Sequence, residues 1–327
     1  MAAANAQYLS LVGRALHVSE VTAVECSLPL LAQRYGAPAE LWGKVLGYKR
    51  DYVVAQLRPG DFFGPRVTFA SVDGGNNWTL LSDVSADQAV LCEELRGPFV
   101  GDLNYLYKVR RDIPDAPAEP TVDLPAADDA LAQAKAGLAE AQSDADDEEE
   151  EREEGEEGEE GEEDEGDAAV AKRKKNKPKF MLVSVTEGVR LAHFVRLHDD
   201  ACRLVVRAEY ALQGQAVGER NRFFAGQVLN NALKPSCYLK AAHLGDPARN
   251  ATLYGHTYNE HTDYLRPITD DAPVGVWSVK YDATLNVVAV QNLLFEGSLF
   301  WYRPGTVEHG QIYVGTAERN FDLFFAL

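Results

Sequence analysis

Apolar residues follow regular patterns in two stretches of the chain, 1–112 and 180–327, with a long polar segment between them. In the first stretch they recur at helical spacing before Gly36, which predicts a helix over 19–35; these residues are Val21, Val24, Leu28 and Leu31. Pro29 argues against an unbroken helix, because proline lacks the backbone donor that a helix interior uses. Shorter apolar patterns predict strands, the first two joined as a hairpin through Lys49-Arg50-Asp51, over 41–48, 52–57, 67–72 and 78–81.

A second helix is predicted to begin at Ser85. Gln88 follows three residues later, as a capping box requires, and Gly97 closes the segment. Cys26 and Cys92 fall on the two predicted helices, where buried and unreactive thiols are expected.

The second stretch predicts mainly strands. A hairpin is expected over 181–195 with its turn at Thr186-Glu187-Gly188, and a further strand over 204–210. A short helix is predicted before Pro235. Four consecutive strands with short turns, which form an antiparallel meander, are predicted over 276–281, 285–293, 298–302 and 311–314. The predicted fold class is therefore α+β, with antiparallel β-sheets, a meander in the C-terminal half and a few short helices.

Residues 113–179 differ in kind from the two apolar stretches. Of the net charge of −19, −17 comes from 144–167, where 18 acidic residues accompany a single basic one, Arg152. A lysine-rich run over 172–179 follows. The apolar surface of 113–179 is too small to offset the conformational entropy lost on ordering. We therefore predict that this insert is disordered. The predicted division is an N-terminal helix and β-hairpin half (1–112), the insert (113–179) and a C-terminal antiparallel half (180–327).

The rest of the chain is nearly neutral, which disfavours nucleic-acid binding. No apolar run is long enough to span a membrane, and the first ten residues lack the pattern of a signal peptide. We therefore expect an intracellular protein with free thiols. The four tryptophans, Trp42, Trp78, Trp277 and Trp301, all fall in predicted strands. An apolar tail over 321–327 is expected to dock on its own domain or on a partner.

The sequence carries no recognisable catalytic motif. His256 and His261 lie in the densest polar cluster, which fits either a surface loop or a metal site formed by the loop. His193 and His198, near the end of a predicted strand, are expected to be surface or hydrogen-bonded histidines. We expect no enzymatic activity, no cofactor and no metal.

Several motifs resemble segments of a known protein family. Leu41-Trp42-Gly43-Lys44-Val45-Leu46-Gly47, followed by Asp51-Tyr52, resembles the Trp-Gly-Lys signature of radial spoke head proteins. In the C-terminal half, the segments 275–279, 293–302 and 313–323 are similar to segments of the radial spoke head protein 9 family. The departures are Phe295, Glu296 and Ala317, where the family has Trp, Pro and Gly. The resemblance covers both halves and assigns structural signature residues: Trp42, Gly43, Gly47, Asp51, Tyr52, Trp277, Gly297, Tyr313, Gly315 and Asn320.

The resemblance implies a structural subunit of the radial spoke head in the axoneme of motile cilia or flagella. The implied partners are other spoke head proteins, including those of the 4 and 6 type, a second copy of the chain, and transiently the central apparatus. No nucleic acid and no membrane is expected. It also implies that the insert is a loop expanded within one fold. Two alternatives remain, a divergent paralogue in a neighbouring axonemal complex and an acidic assembly factor for basic partners.

Overall fold

The computed structural model describes residues 4–59, 64–112, 180–213, 216–241 and 265–326. The chain divides into two compact units, Met1–Val109 with Leu182–Leu327, and Arg110–Met181. The predicted insert, 113–179, and the loop with His256 and His261 lie outside the described residues. The predicted boundaries at 112 and 179 stay a prediction. No helix among the described residues is both long and apolar enough to cross a membrane.

The described chain contains both helices and strands. The helices are α1 (Val18–Tyr35), α2 (Ala86–Glu94), α3 (Glu187–Cys202), α4 (Leu229–Ala232) and α5 (Leu323–Ala326), with 3₁₀ segments at Ala4–Val12, Pro235–Cys237 and Ile268–Asp270. The strands are β1 (Ala39–Val45), β2 (Tyr52–Leu57), β3 (Val67–Ser71), β4 (Thr79–Leu80), β5 (Leu106–Asp112), β6 (Phe180–Thr186), β7 (Leu204–Val206), β8 (Tyr210–Gln213), β9 (Ala216–Arg220), β10 (Tyr238–Ala241), β11 (Leu265–Pro267), β12 (Trp277–Asp282), β13 (Val287–Asn292), β14 (Ser298–Tyr302) and β15 (His309–Gly315).

One eight-stranded sheet organises the fold, in the order β12-β13-β14-β15-β1-β2-β3-β4. Strands β12 to β15 are successively antiparallel, which confirms the predicted meander. The predicted β1–β2 hairpin is also antiparallel. The pairing of β1 with β15 is parallel and joins strands from the two sides of the insert, with Gly43 opposite Tyr313 and Val45 opposite Gly315. The α+β fold class is confirmed.

Both faces of this sheet are covered, which explains why every residue of β2 is buried. Successive strand residues point to opposite faces. Val53, Ala55 and Leu57 pack in a core cluster that also contains Val24, Leu28 and Leu31 of α1. The alternate residues Tyr52 and Val54 pack in a second cluster with Leu191, Phe194 and Val195 of α3. The sheet is thus the middle layer between α1 and α3.

Helix α1 confirms the first predicted helix and runs through Pro29 without a break. His17 and Glu20 form a capping box at its start, and Gly36 ends it in the left-handed conformation. Pro29 and Glu25, whose carbonyl loses its partner, are both exposed. An unpaired carbonyl at an exposed position costs little, so the break expected from proline does not occur. The Ser85 and Gln88 capping box is also confirmed, although α2 ends at Glu94, before Gly97.

The predicted hairpin over 181–195 is wrong. Strand β6 leads directly into α3, and the hydroxyl oxygen of Thr186 accepts a hydrogen bond from the backbone N–H of Val189 as the N-cap. Five buried side chains recur at helical spacing along α3: Leu191, Phe194, Val195, His198 and Cys202. That period of three to four residues outweighs the local turn signal at Thr186-Glu187-Gly188.

The structure also differs from several smaller predictions. The strand predicted over 204–210 is divided into β7 and β8, because Ala208 adopts a positive φ of 71° between them. Cys26 is exposed rather than buried, whereas Cys92 is buried as expected. His193 and His198 lie on α3 rather than at the end of a strand, and both are buried. Trp78 precedes β4 and is not part of a strand.

Candidate functional site

Four of the signature residues meet where β1 and β15 run side by side. Gly43 faces the backbone of Tyr313 so closely that any side chain at this position would overlap it. Gly315 is equally tight against the carbonyl of Glu296 and the phenol of Tyr313. Because glycine has no Cβ, only glycine permits this approach of two backbones. Gly43 therefore permits the pairing of β1 with β15, and Gly315 makes room for the Glu296 carbonyl and the Tyr313 phenol beside it.

Trp42 anchors the α3 side of this junction. Its indole Nε1–H donates to Asp199 Oδ1 at 2.8 Å, and Gln56 Nε2 donates to Asp199 Oδ2 at 2.6 Å. The indole ring centre lies 5.3 Å from that of Tyr313 and 5.0 Å from that of His198. The Asp199 carboxylate on α3 thus accepts hydrogen bonds from side chains of two neighbouring strands, β1 and β2.

His198 is enclosed by aromatic rings at the same place. It is fully buried, and its Nε2 lies 3.0 Å from the hydroxyl oxygen of Ser298. Burial lowers the pKa of His198 to about 4, so the imidazole is neutral near pH 7. The surrounding rings belong to Trp42, Phe194, Phe295 and Tyr313. A neutral histidine in this setting packs as a core residue.

Changing Trp42 to phenylalanine is expected to lower the free energy of unfolding by about 2 kcal/mol, because Asp199 Oδ1 would lose its donor in a partly buried place. Urea titration followed by tryptophan fluorescence and circular dichroism measures this loss. Tyr281→Phe, which removes an exposed hydrogen bond to Asn286, is the control and should change stability by less than about 0.5 kcal/mol. Equal effects of the two changes would contradict the role of the indole N–H.

The segment after β15 is fastened by backbone contacts. The phenol oxygen of Tyr313 accepts a hydrogen bond from the N–H of Ala317 at 2.9 Å, and the N–H of Asn320 donates to the carbonyl of Leu294 at 2.8 Å. Gly297 has a φ of 90° and lies against the carbonyl of Val314, so a side chain there would overlap the β15 backbone. The motif over 313–323 is therefore held in place largely by its main chain.

Three more signature residues, Gly47, Asp51 and Trp277, lie at two other places. Asp51 Oδ1 accepts from the N–H of Gly47 at 3.0 Å, and Asp51 Oδ2 pairs with Lys44 Nζ at 2.8 Å. Lys44 also pairs with Glu20 of α1 at 2.7 Å, so this group ties α1 to the β1–β2 turn. Trp277, on β12 at the far edge of the sheet, donates from Nε1 to Asp271 Oδ2 at 2.9 Å. Trp277 packs against the core cluster that contains Trp42 and Tyr313, and also against the cluster that contains Val288 and Val290.

A buried carboxylate that the sequence did not reveal lies at the start of α3. Glu187 has no exposed surface, and its two oxygens accept five hydrogen bonds. The donors are the hydroxyls of Tyr52 and Tyr107, both at 2.6 Å, and the N–H groups of Val100 at 2.9 Å, Gly101 at 2.7 Å and Asp102 at 3.3 Å. Burial raises the pKa of Glu187, but the hydrogen bonds outweigh it, and the pKa lies below its ordinary value. Glu187 is therefore ionised inside the protein.

The counter-charge to this carboxylate is one helical turn along α3. The Arg190 guanidinium donates to the hydroxyl of Tyr107 at 3.0 Å and to the carbonyl of Gly97 at 2.6 Å, and it lies 4.3 Å from the ring centre of Phe99. Tyr107 thus links the two charges. The hydrogen bonds of Glu187 and Arg190 hold the loop over 97–107 against the start of α3. Signature residue Tyr52 belongs to the same hydrogen-bond network.

The described ranges contain no group of three or more His, Cys, Asp or Glu side chains that could hold a metal ion. Burial raises the pKa of the Cys92 thiol to about 11 and also raises the pKa of Cys202 and Cys237, so these thiols are protonated and weakly nucleophilic near pH 7. Each signature residue instead supports packing or backbone geometry.

Comparison with known proteins agrees with the resemblance found in the motifs. The chain is 25% identical over 316 residues to "Radial spoke head protein 9 homolog" of Mus musculus, across 96% of this chain and 94% of that protein. It is 25% identical over 319 residues to the protein of the same name in Homo sapiens, with the same coverage. A shorter match, 32% identical over 148 residues, is found with the Danio rerio protein of that name. No family model matches the chain. The resemblance predicted from the motifs is confirmed.

Proposed function

We propose that this protein is a structural subunit of the radial spoke head in the axoneme of motile cilia or flagella. The observation that carries the proposal is similarity along 96% of the chain to proteins named as radial spoke head protein 9 homologs. That similarity extends across both folded stretches rather than a single motif. It therefore supports an equivalent role for the whole chain.

The chemistry of the described residues supports a role in assembly. Three of the large signature side chains, Trp42, Tyr52 and Tyr313, are buried, and the signature glycines allow close backbone approach. Residues that are needed to build a rigid fold are what a scaffold subunit requires. The described ranges contain no cluster of side chains that could hold a metal ion. This favours a structural role over that of an enzyme whose metal ligands lie in those ranges.

Partners in this proposal are other spoke head proteins, including the 4 and 6 type, and a second copy of the chain. The described surface offers exposed apolar side chains for such contacts: Tyr48, Phe223, Val274 and Phe325, each more than four-fifths exposed. In this proposal these side chains become buried against such partners. Within the spoke head, the chain transmits contact with the central apparatus towards the dynein arms and so affects the beat.

The test is localisation and rescue in motile cilia that lack the endogenous chain. A tagged copy is expected to remain with the axoneme after detergent removes the membrane, and to restore the spoke head density in tomograms. The matched control is the tag expressed alone. Complete spoke heads in cilia that lack the chain, or loss of the tagged chain with the detergent extract, would refute the proposal.

A copy that lacks 144–167 separates the scaffold from an acidic assembly factor in the same rescue. A scaffold still incorporates when this acidic run is removed, whereas an assembly factor that shields basic partners loses their binding. Density in a neighbouring complex, rather than in the spoke head, would identify the chain as a paralogue with a different position.

A further inference from the structure

An irregular loop over 221–228 joins β9 to α4 and is fastened at both ends. At its start, Asn221 Nδ2 donates to the carbonyl of Ala208 at 3.1 Å. Near its end, Gln227 Nε2 donates to the carbonyl of Arg207 at 2.9 Å. These bonds tie the loop to the chain between β7 and β8, so it has a defined shape without being helix or strand.

Phe223 is the large side chain that this fastened loop presents to solvent. It is 90% exposed, whereas the adjacent Phe224 packs against the core cluster that contains Tyr302. The N–H of Gln227 also donates to the phenol oxygen of Tyr302, at 2.5 Å. The fold therefore buries one phenylalanine of the pair and holds the other in water. An aromatic side chain on a fixed backbone loses little entropy when a partner covers it.

The exposed polar side chains around Phe223 include three cations, Arg207, Arg222 and Lys234. Arg207 donates from Nε to a neutral group, the carbonyl of Ser236, at 2.9 Å. None of the three cations forms an ion pair with a residue in the described part of the chain. The sequence itself has no Asp or Glu from 221 to 245, although the whole chain carries a net charge of −19.

Two carboxylates on neighbouring elements already have cationic partners. Glu209 is 1% exposed and pairs with Arg220 at 3.4 Å and with His309 at 2.8 Å. Glu308 pairs with Arg303 at 2.5 Å. The described surface of the loop thus keeps an excess of positive charge beside an exposed ring, and carboxylates of a partner would balance it.

The charge distribution also selects the kind of partner. A second copy meeting this surface about a two-fold axis would place the same three cations against each other, which is repulsive. Nucleic acid and anionic membranes are repelled by a chain with a net charge of −19. A different protein that carries carboxylates around an apolar pocket satisfies both the ring and the cations.

We propose that the loop over 221–228 docks on an acidic surface of another protein in the same assembly. Phe223 enters an apolar pocket of that protein, and Arg222, Arg207 and Lys234 lie over carboxylates at the rim of the pocket. The choice of assembly rests on the function proposed above, and the wild-type copy in the same rescue tests that function separately.

Phe223→Gln tests the anchor in motile cilia that lack the endogenous chain. The amount of tagged variant kept per detergent-treated axoneme is expected to be at least about tenfold below that of the wild-type copy, as loss of a central binding residue predicts. The melting temperature of the purified protein should stay within about 2 °C, because the side chain is exposed. Leu30→Gln, at a 67% exposed apolar position on α1, is the matched control and should be retained like wild type.

Retention of Phe223→Gln at the wild-type level would overturn the docking alone. Loss of the wild-type copy as well would overturn the function proposed above and this docking with it. Loss of Leu30→Gln to the same extent as Phe223→Gln would show that the effect is not specific to the loop.

Arg222→Glu tests the cations in the same axonemes. It should lower retention about threefold or more and release the chain at a lower salt concentration, since a like charge then faces the partner's carboxylates. Lys280→Glu, at an exposed lysine on β12, makes the same change of charge elsewhere and should have neither effect. Equal salt release of the two variants would contradict an acidic partner.

A photo-reactive benzoylphenylalanine at position 223 identifies what covers the loop. Irradiation of the rescued axonemes is expected to cross-link the chain to a different axonemal protein through an acidic, apolar segment of that protein. A cross-link to a second copy of the chain, or release of the chain by nuclease, would overturn the proposal.

Discussion

Replacing Gly43 with alanine is expected to lower the free energy of unfolding by about 4 kcal/mol or more, which places it among the most damaging single changes. The added methyl group would overlap the backbone of Tyr313, where β1 and β15 run parallel. Neither strand can move away without breaking its other pairing, because β2 lies on one side and β14 on the other. The clash therefore cannot be relieved by a side-chain rotation.

Denaturant titration of wild type and variant, followed by circular dichroism, measures the effect. Gly305→Ala is the matched control, because Gly305 also has a positive φ, of 75°, but has no atom within 4 Å of an added methyl group. It should cost only the 1–2 kcal/mol or so that left-handed backbone imposes on alanine. If Gly43→Ala cost no more than Gly305→Ala, the close approach of β1 to β15 would be wrong.

The second large effect is expected at the buried carboxylate. Glu187→Gln keeps the shape of the side chain but replaces one acceptor oxygen with an N–H₂ donor, which faces groups that themselves donate. We expect unfolding free energy to fall by about 2–4 kcal/mol at pH 7, since hydrogen bonds to a charge are lost and buried donors are left without partners. Glu94→Gln, at an exposed site on α2, should stay within about 0.5 kcal/mol of wild type.

The pH dependence gives a second measurement of the same group. The pKa of Glu187 is lower in the folded protein than its ordinary value, so its contribution is fully present above the unfolded pKa of about 4.3. It is lost as pH falls through the folded pKa. The stability difference between wild type and Glu187→Gln should therefore shrink as pH falls below about 4. A difference that stays constant from pH 7 to pH 3 would contradict an ionised Glu187.

Local patterns in the sequence predicted those elements whose neighbours are near in the chain. Helix α1, strand β2, the β1–β2 hairpin, the Ser85 cap and the β12–β15 meander all depend on contacts within a few tens of residues. Helix α3 was missed because its first residues, Thr186-Glu187-Gly188, have turn character. The helical period of Leu191, Phe194, Val195 and His198 carried the opposite signal and is the one that the core selects.

Local sequence patterns could not predict the β1–β15 junction or the Glu187 network, because both join residues that are far apart in the chain. Nothing near Gly43 identifies Tyr313 as its neighbour, and the resemblance named both residues without placing them together. The Glu187 network has the same difficulty, since Tyr52 lies 135 residues away and Tyr107 lies 80 residues away. A charged residue directly after a strand was the only local signal, and it is equally typical of an exposed helix start. His193 was assigned a satisfied or surface role because burial cannot be read from a single residue.

The parallel pairing of β1 with β15 also constrains how the chain folds during translation. The ribosome releases β1 and β2 early, but the partner on the other edge of β1 emerges only after every other strand of the sheet. Until then, the growing chain carries an unpaired strand edge, which is a template for aggregation. We expect the nascent protein to need protection by chaperones for most of its synthesis, and truncation before residue 309 to yield insoluble material.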